Sequence, residues 1–162
     1  GAELFEFLYE AAGPGGAALL IEGITDNKNR AVNEIKHLLA EHGARLAEPG
    51  SLTWGFEKIG VIECAAPALA APEASELAII ESGARDFAQI DGGWVIETDF
   101  AARENARAVL ERAGFIIRAE RHDYKPKSPI ALAPDIAPKI ESLIEALDGH
   151  DDVQEMYTNL KV

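Results

Sequence analysis

An α+β fold made of two sheet-plus-helix sandwiches (ferredoxin-like), the second inserted into the first, is what this 162-residue sequence predicts. Three observations lead there. Strand-length apolar or alternating segments are interrupted by four helical segments, which limits each sheet to one covered face. A tight hairpin signal at Asp91-Gly92-Gly93 demands antiparallel neighbours and argues against a doubly wound parallel sheet. Two proline-punctuated stretches, 65–74 and 125–129, bracket the middle of the chain. The part before the first stretch lacks a final helix and strand, and the last helix and strand of the chain supply them. The predicted organisation is therefore a discontinuous domain of residues 1–66 plus 130–162, with residues 67–129 as the insertion.

Each element has its own local reason. Phe5, Phe7 and Tyr9 share one face of a half-buried strand. The apolar run 17–24 is a second strand. Asp26 and Asn27 are placed to cap a helix whose inward residues are Val32, Ile35, Leu38 and Leu39, with Gly43 to stop it. Leu52, Trp54 and Phe56 alternate with Thr53, Gly55 and Glu57, which predicts a strand that buries Trp54 and Phe56. Residues 59–64 form another strand, paired with it. A short helix over 73–82 stops at Gly83, and segments 87–90 and 94–98 flank the hairpin turn. Asp99 is placed to cap a helix over 101–113, and 115–123 is a strand. Asp135 is placed to cap the last helix, with Ile136, Ile140, Leu143, Ile144 and Leu147 inward and Pro138 in the first turn, where its missing N–H costs little. Gly149 ends that helix, and 153–159 closes the chain as a strand.

The formal net charge of −13 excludes a whole-surface attraction to nucleic acid or anionic membrane, but not local basic patches. No apolar run approaches the ~18 residues of a membrane span. Glu3, Glu6 and Glu10 in the first ten residues do not resemble a secretory leader. Cys64 is the sole cysteine and lies in the apolar stretch VIECAA, so it reads as a buried thiol rather than a nucleophile. The four histidines make no metal-binding spacing, and there is no nucleophile-elbow motif. The chain reads as non-enzymatic, with no catalytic residues, no metal and no cofactor.

Two positive islands stand out. Lys28, Asn29 and Arg30 occupy the first turn of the first helix, where cations oppose the helix dipole and a phosphate would favour them. Lys36 and Arg45 extend that neighbourhood. Arg118, Arg121, Lys125 and Lys127 interleave with His122 and Tyr124, a pattern that suits single-stranded nucleic acid but also a solvated edge strand. The loop Gly13-Pro14-Gly15-Gly16 is a weaker candidate. It opens onto a strand rather than a helix, so it reads as a turn and not as a phosphate cradle.

In combination these segments resemble the YebC/PmpR family. The resemblance rests on Tyr9-Glu10 with GPGG, then Thr25-Asp26-Asn27-Lys28-Asn29-Arg30 and a helix containing His37. It continues through Gly50-Ser51, Trp54, Phe56-Glu57-Lys58 and Gly60, and ends on Asp151-Asp152-Val153-Gln154-Glu155-Met156-Tyr157-Thr158-Asn159. It implies a gene-expression factor, acting on ribosomes or as a DNA-binding transcriptional regulator, whose third domain is inserted into its second. It also implies that a basic helical first domain is absent here and that nucleic-acid contact needs that domain; the alternative reading is a protein-interaction module whose acidic surface docks a basic protein partner. The implied location is the bacterial cytoplasm, or the mitochondrion for an organellar member. Two departures from the family pattern are Ala11-Ala12, where Gly-Tyr is usual before GPGG, and Ala31, where a threonine usually follows Asn-Arg.

Overall fold

The computed structural model describes residues 3–161. Gly1, Ala2 and Val162, at the ends of the predicted discontinuous domain, lie outside the described residues. The chain divides into two compact units, Gly1–Glu57 with Lys125–Val162, and Lys58–Tyr124. These divisions fall at Glu57 and Lys125, inside strands, whereas the sequence places them at residues 66 and 130 in the proline-punctuated stretches. Both units are α+β.

In the first unit, β1 (Phe5–Ala12) and β2 (Ala18–Thr25) form an antiparallel hairpin, α1 (Lys28–Glu41) follows, and β3 (Arg45–Leu46) returns beside β1. After the inserted segment, α4 (Ala137–Asp148) leads into β8 (Val153–Thr158), which pairs antiparallel with β2. The strand order is β3-β1-β2-β8. Alternation along β1 and β2 sends Phe7, Ala11, Leu19 and Ile21 to one face, where they meet Ile35 and Leu39 of α1 and Ile140, Leu143 and Leu147 of α4. Each fully buried leucine or isoleucine of this cluster contributes about 2 kcal/mol. The two-residue β3 carries no periodic signal, which is why the sequence does not announce it.

The second unit runs β4 (Phe56–Ala65), α2 (Pro72–Glu81), β5 (Asp86–Ile90), β6 (Gly93–Asp99), α3 (Arg103–Arg112) and β7 (Ile116–Pro126), with its first and last strands crossing the unit boundary. Its order is β5-β6-β4-β7, the ferredoxin-like arrangement. The core is Ile62, Cys64, Ile79, Trp94, Ile96, Ala106, Leu110 and Phe115. The hairpin turns at Asp91-Gly92, with Ile90 opposite Gly93.

Three local expectations are corrected. Residues 52–56 are not a strand: Thr53–Gly55 is a 3-10 turn, and one continuous β4 starts at Phe56. Trp54 is not core but 72% exposed, while Phe56 is buried. Asp99 and Asp135 do not cap their helices. Asp99 precedes a 3-10 turn, and α4 starts after Ile136 with no side-chain cap.

Close approach is tightest at Gly23. The β2–β8 ladder shifts register at Glu22/Gly23, and the Ile24 N–H donates to the Asp152 carbonyl oxygen (3.0 Å). A β-carbon on Gly23 would strike that same carbonyl and the Phe7 ring. Gly23→Ala is expected to destabilise the protein by about 2 kcal/mol or more, read as a lower urea midpoint with an unchanged m-value.

Candidate nucleic-acid interface

The first island sits where β2 hands over to α1. Asn27 is the N-cap and its side chain accepts from the Arg30 N–H (3.1 Å). The Thr25 hydroxyl donates to Asp152 Oδ2 (2.9 Å). The Arg30 guanidinium reaches Asp26 (2.9 Å), Glu34 (3.3 Å) and Asp152 (3.0 Å). His150 lies beneath this cluster. Its Nδ1 accepts from the Asp152 N–H (3.1 Å), which puts the neutral ring's proton on Nε2, 3.3 Å from Glu34. Arg30 thus offsets three carboxylates, which accounts for a cation in a first helical turn without any ligand. Lys28 lies over the Phe5 ring, 4.7 Å from its centroid.

The outer side of α1 differs. At 100° per residue, Asn29, Asn33 and Lys36 fall within roughly 60° of one another around the axis, and all three are exposed. Glu34 is drawn to Arg30, and Glu41 pairs with His37 (2.8 Å). An amide-and-lysine stripe therefore faces solvent, flanked by Lys28. Asn33 was legible as the residue one helical turn beyond Asn29, yet sequence reasoning passed over it.

Arg45 and GPGG stand at the opposite end of the sheet from Lys28–Arg30. Arg45 is register partner to Ala12, next to Gly13. Pro14–Gly16 forms a 3-10 turn with Gly15 (φ +73°) and Gly16 (φ +84°) in the left-handed region that glycine tolerates. The Asn159 side chain clamps the turn, accepting from the Ala18 N–H (2.8 Å) and donating to the Gly16 carbonyl (3.1 Å). Around it pack Ile136, Ile140 and Leu132. The geometry is that of a packed turn. Beside Pro14 an open cleft of about 490 Å³ is bordered by His42, Lys139 and Ser142, and His42 Nδ1 bonds the Leu38 carbonyl (2.8 Å).

The second island is not brought together as one patch. Arg118 donates to the Gly92 carbonyl (2.8 Å) and braces the hairpin turn, while Arg121 approaches Glu63 (3.7 Å). Strand alternation sends these two arginines to opposite faces. Lys125 and Lys127 belong to the other unit, where the Lys127 N–H donates to the Gly55 carbonyl (2.9 Å).

Sequence reasoning missed Glu10. It sits on β1 with 6% of its surface accessible, and its carboxylate accepts from the N–H groups of Gly50 (2.5 Å), Leu52 (2.9 Å) and Thr53 (2.8 Å). Burial pushes its pKa upward, but those donors outweigh burial and hold it below the ordinary glutamate range. The clamped loop presents Trp54. Among the described residues no three His, Cys, Asp or Glu side chains group to hold a metal ion, and no helix is long and apolar enough to cross a membrane.

Residues 4–160 match the family described as the TACO1/YebC second and third domain. A probable transcriptional regulatory protein of Caldanaerobacter subterraneus subsp. tengcongensis is 39% identical over 162 residues, 100% of this chain and 67% of that protein. A protein of the same description from Thermus thermophilus is 37% identical over 161 residues, 99% of this chain and 64% of that one. The crystal structure of a conserved hypothetical protein from Aquifex aeolicus matches with a TM-score of 0.80 at 30% identity, covering 99% of this chain and 66% of that one. The chain thus spans about two thirds of the length of these relatives.

Two outcomes follow from the buried groups. Glu10 binds its proton more weakly folded than unfolded, so its contribution is complete above the ordinary glutamate range and is lost as pH falls through and below it. Glu10→Gln is expected to cost about 1–3 kcal/mol at neutral pH and to flatten the acid limb of a urea-midpoint-against-pH curve. Burial raises the Cys64 thiol to about 11, against a smaller opposing effect of Arg118. Native protein should therefore resist an aromatic disulfide reagent at pH 8 and react fully only once unfolded in urea.

Proposed function

The chain belongs to the TACO1/YebC family, and on that premise we propose that it forms the second and third domains of a non-enzymatic regulator of gene expression that acts on translation by touching ribosomal RNA. Its relatives are named probable transcriptional regulatory proteins, which supports a regulatory role in which nucleic acid is the partner. The translational reading rests on the resemblance to a family that includes ribosome-directed activators.

One observation carries the contact surface. On a chain of net charge −13, the outer stripe of α1 turns amides and lysine to solvent while its carboxylates Glu34 and Glu41 lie beside Arg30 and His37. Lys28, Asn29 and Lys36 then lead the footprint, with Asn33 added. Arg30 holds the helix start in place, and its place in the footprint is an indirect one. Lys125 and Lys127 form a separate contact. Arg45 and GPGG, at the far end of the sheet, contribute only to an extended footprint. Such a protein works in the bacterial cytoplasm, and the acidic remainder of its surface suits a basic protein partner.

A second reading, duplex DNA, is favoured by the same stripe. Asn29 and Asn33, one turn apart, have the side-chain chemistry that reads adenine in a major groove. The two readings part in a ribosome co-sedimentation assay with competitor duplex DNA. Lys28→Glu with Lys36→Glu is expected to release the protein from ribosomes at moderate salt, and competitor DNA to leave wild-type pelleting unchanged. Pelleting of the double variant at the wild-type level would sink the ribosomal footprint, and displacement by DNA would favour the promoter reading.

A further inference from the structure

We propose that Trp54 is a stacking platform for an unpaired base of single-stranded RNA, with Lys127 beside it for the adjoining phosphate. The inference rests on the RNA reading above and adds a site to it, distinct from the α1 stripe.

The loop between β3 and β4 is pinned along its length. The Ala47 N–H donates to the Glu10 carbonyl (2.8 Å), and the Glu10 carboxylate takes the N–H groups of Gly50, Leu52 and Thr53. Within the turn the Gly55 N–H donates to the Leu52 carbonyl (3.0 Å), and the Gly55 carbonyl receives the Lys127 N–H (2.9 Å). A buried carboxylate is committed to the backbone of Gly50, Leu52 and Thr53, and the next side chain, Trp54, is left 72% exposed. A loop that merely connected two strands would gain by folding its indole inward. Holding it outward on a fixed backbone gives a flat π face that needs no ordering when a base arrives.

The surroundings select the occupant. The hydrogen bond at Gly55 sets the backbone of exposed Lys127 against the residue next to Trp54. The loop's own carboxylate, Glu48, is six residues before it. Among the described residues of this unit the only other exposed large apolar side chain is Leu4, on the far side of β1 in sequence, so the indole is not part of a contiguous exposed apolar patch. A protein-docking surface is marked by such a patch. A solitary aromatic next to a lysine is what a base and its phosphate require.

The test is titration of the protein with a single-stranded oligoadenylate of about 12 nucleotides and with its duplex. Trp54 emission is readable because the other tryptophan, Trp94, is buried at 4%. Single strands should quench it and duplex should not. Trp54→Ala should weaken single-strand binding roughly tenfold, Trp54→Phe should stay near wild type, and Lys127→Gln should reduce the salt slope by about 0.7. The urea midpoint of each variant checks that the fold is kept. Unchanged affinity in Trp54→Ala overturns the platform while leaving the ribosomal reading intact. Failure of the wild-type protein to bind the oligonucleotide, together with loss of ribosome pelleting, overturns both.

Discussion

The first unit exists only because β8, the last strand of the chain, pairs with β2 across an insertion. Leu19, Leu20, Ile21 and Glu22 of β2 face Thr158, Tyr157, Met156 and Glu155. Each end of this ladder is fastened by side chains. At one end Asn159 ties the strand to the GPGG turn, and at the other Asp152 ties it to Thr25 and Arg30. The bare α-carbon of Gly23 lets the backbones meet there. Take β8 away and α4 loses its neighbour strand, the turn its clamp and the first helix the carboxylate that anchors Arg30.

Charge follows from this closure. Three acidic residues near α1, Asp26, Glu34 and Asp152, gather on Arg30, and Glu41 pairs with His37 on the surface, so the helix start carries its own organised ion pairs although the chain as a whole is strongly acidic. What reaches solvent along α1 is the complement of those pairs. The same logic operates at Glu10, where a buried negative charge is satisfied by backbone donors and no cation is consumed. Both arrangements use carboxylates for architecture and leave lysines outward.

The layers and helices were readable because their apolar residues repeat at 2 and 3.6, as in Phe7–Tyr9 and Ile140–Leu143–Leu147. The site was less so. Arg30 looked like a ligand-seeking cation although Asp26 and Glu34, four residues to either side, were local signals; its third partner, Asp152, is 122 residues away and no local spacing encodes that pair. Trp54 looked like core because Leu52, Trp54 and Phe56 alternate, but five residues of alternation do not separate a strand from a 3-10 turn. The glycines at 50 and 55 were the available hint. Glu10 was quoted as part of a motif but its role was invisible, since its donors come from a loop forty residues on. Arg118 and Arg121 looked like one patch because adjacency in sequence is not adjacency on a strand's face.

The discontinuity has a consequence for how the polypeptide matures. Lys58–Tyr124 is contiguous and holds its own core, so it has everything it needs as soon as β7 leaves the ribosome. The hairpin β1–β2, made before that unit, must wait with an open edge until β8 emerges. During that wait Leu19 and Ile21 belong to a half-built layer and the β2 edge is free to pair with another chain. The strands β1 and β2 are therefore completed after the unit that follows them in the chain, and the order of synthesis of the two units is the reverse of their order of closure.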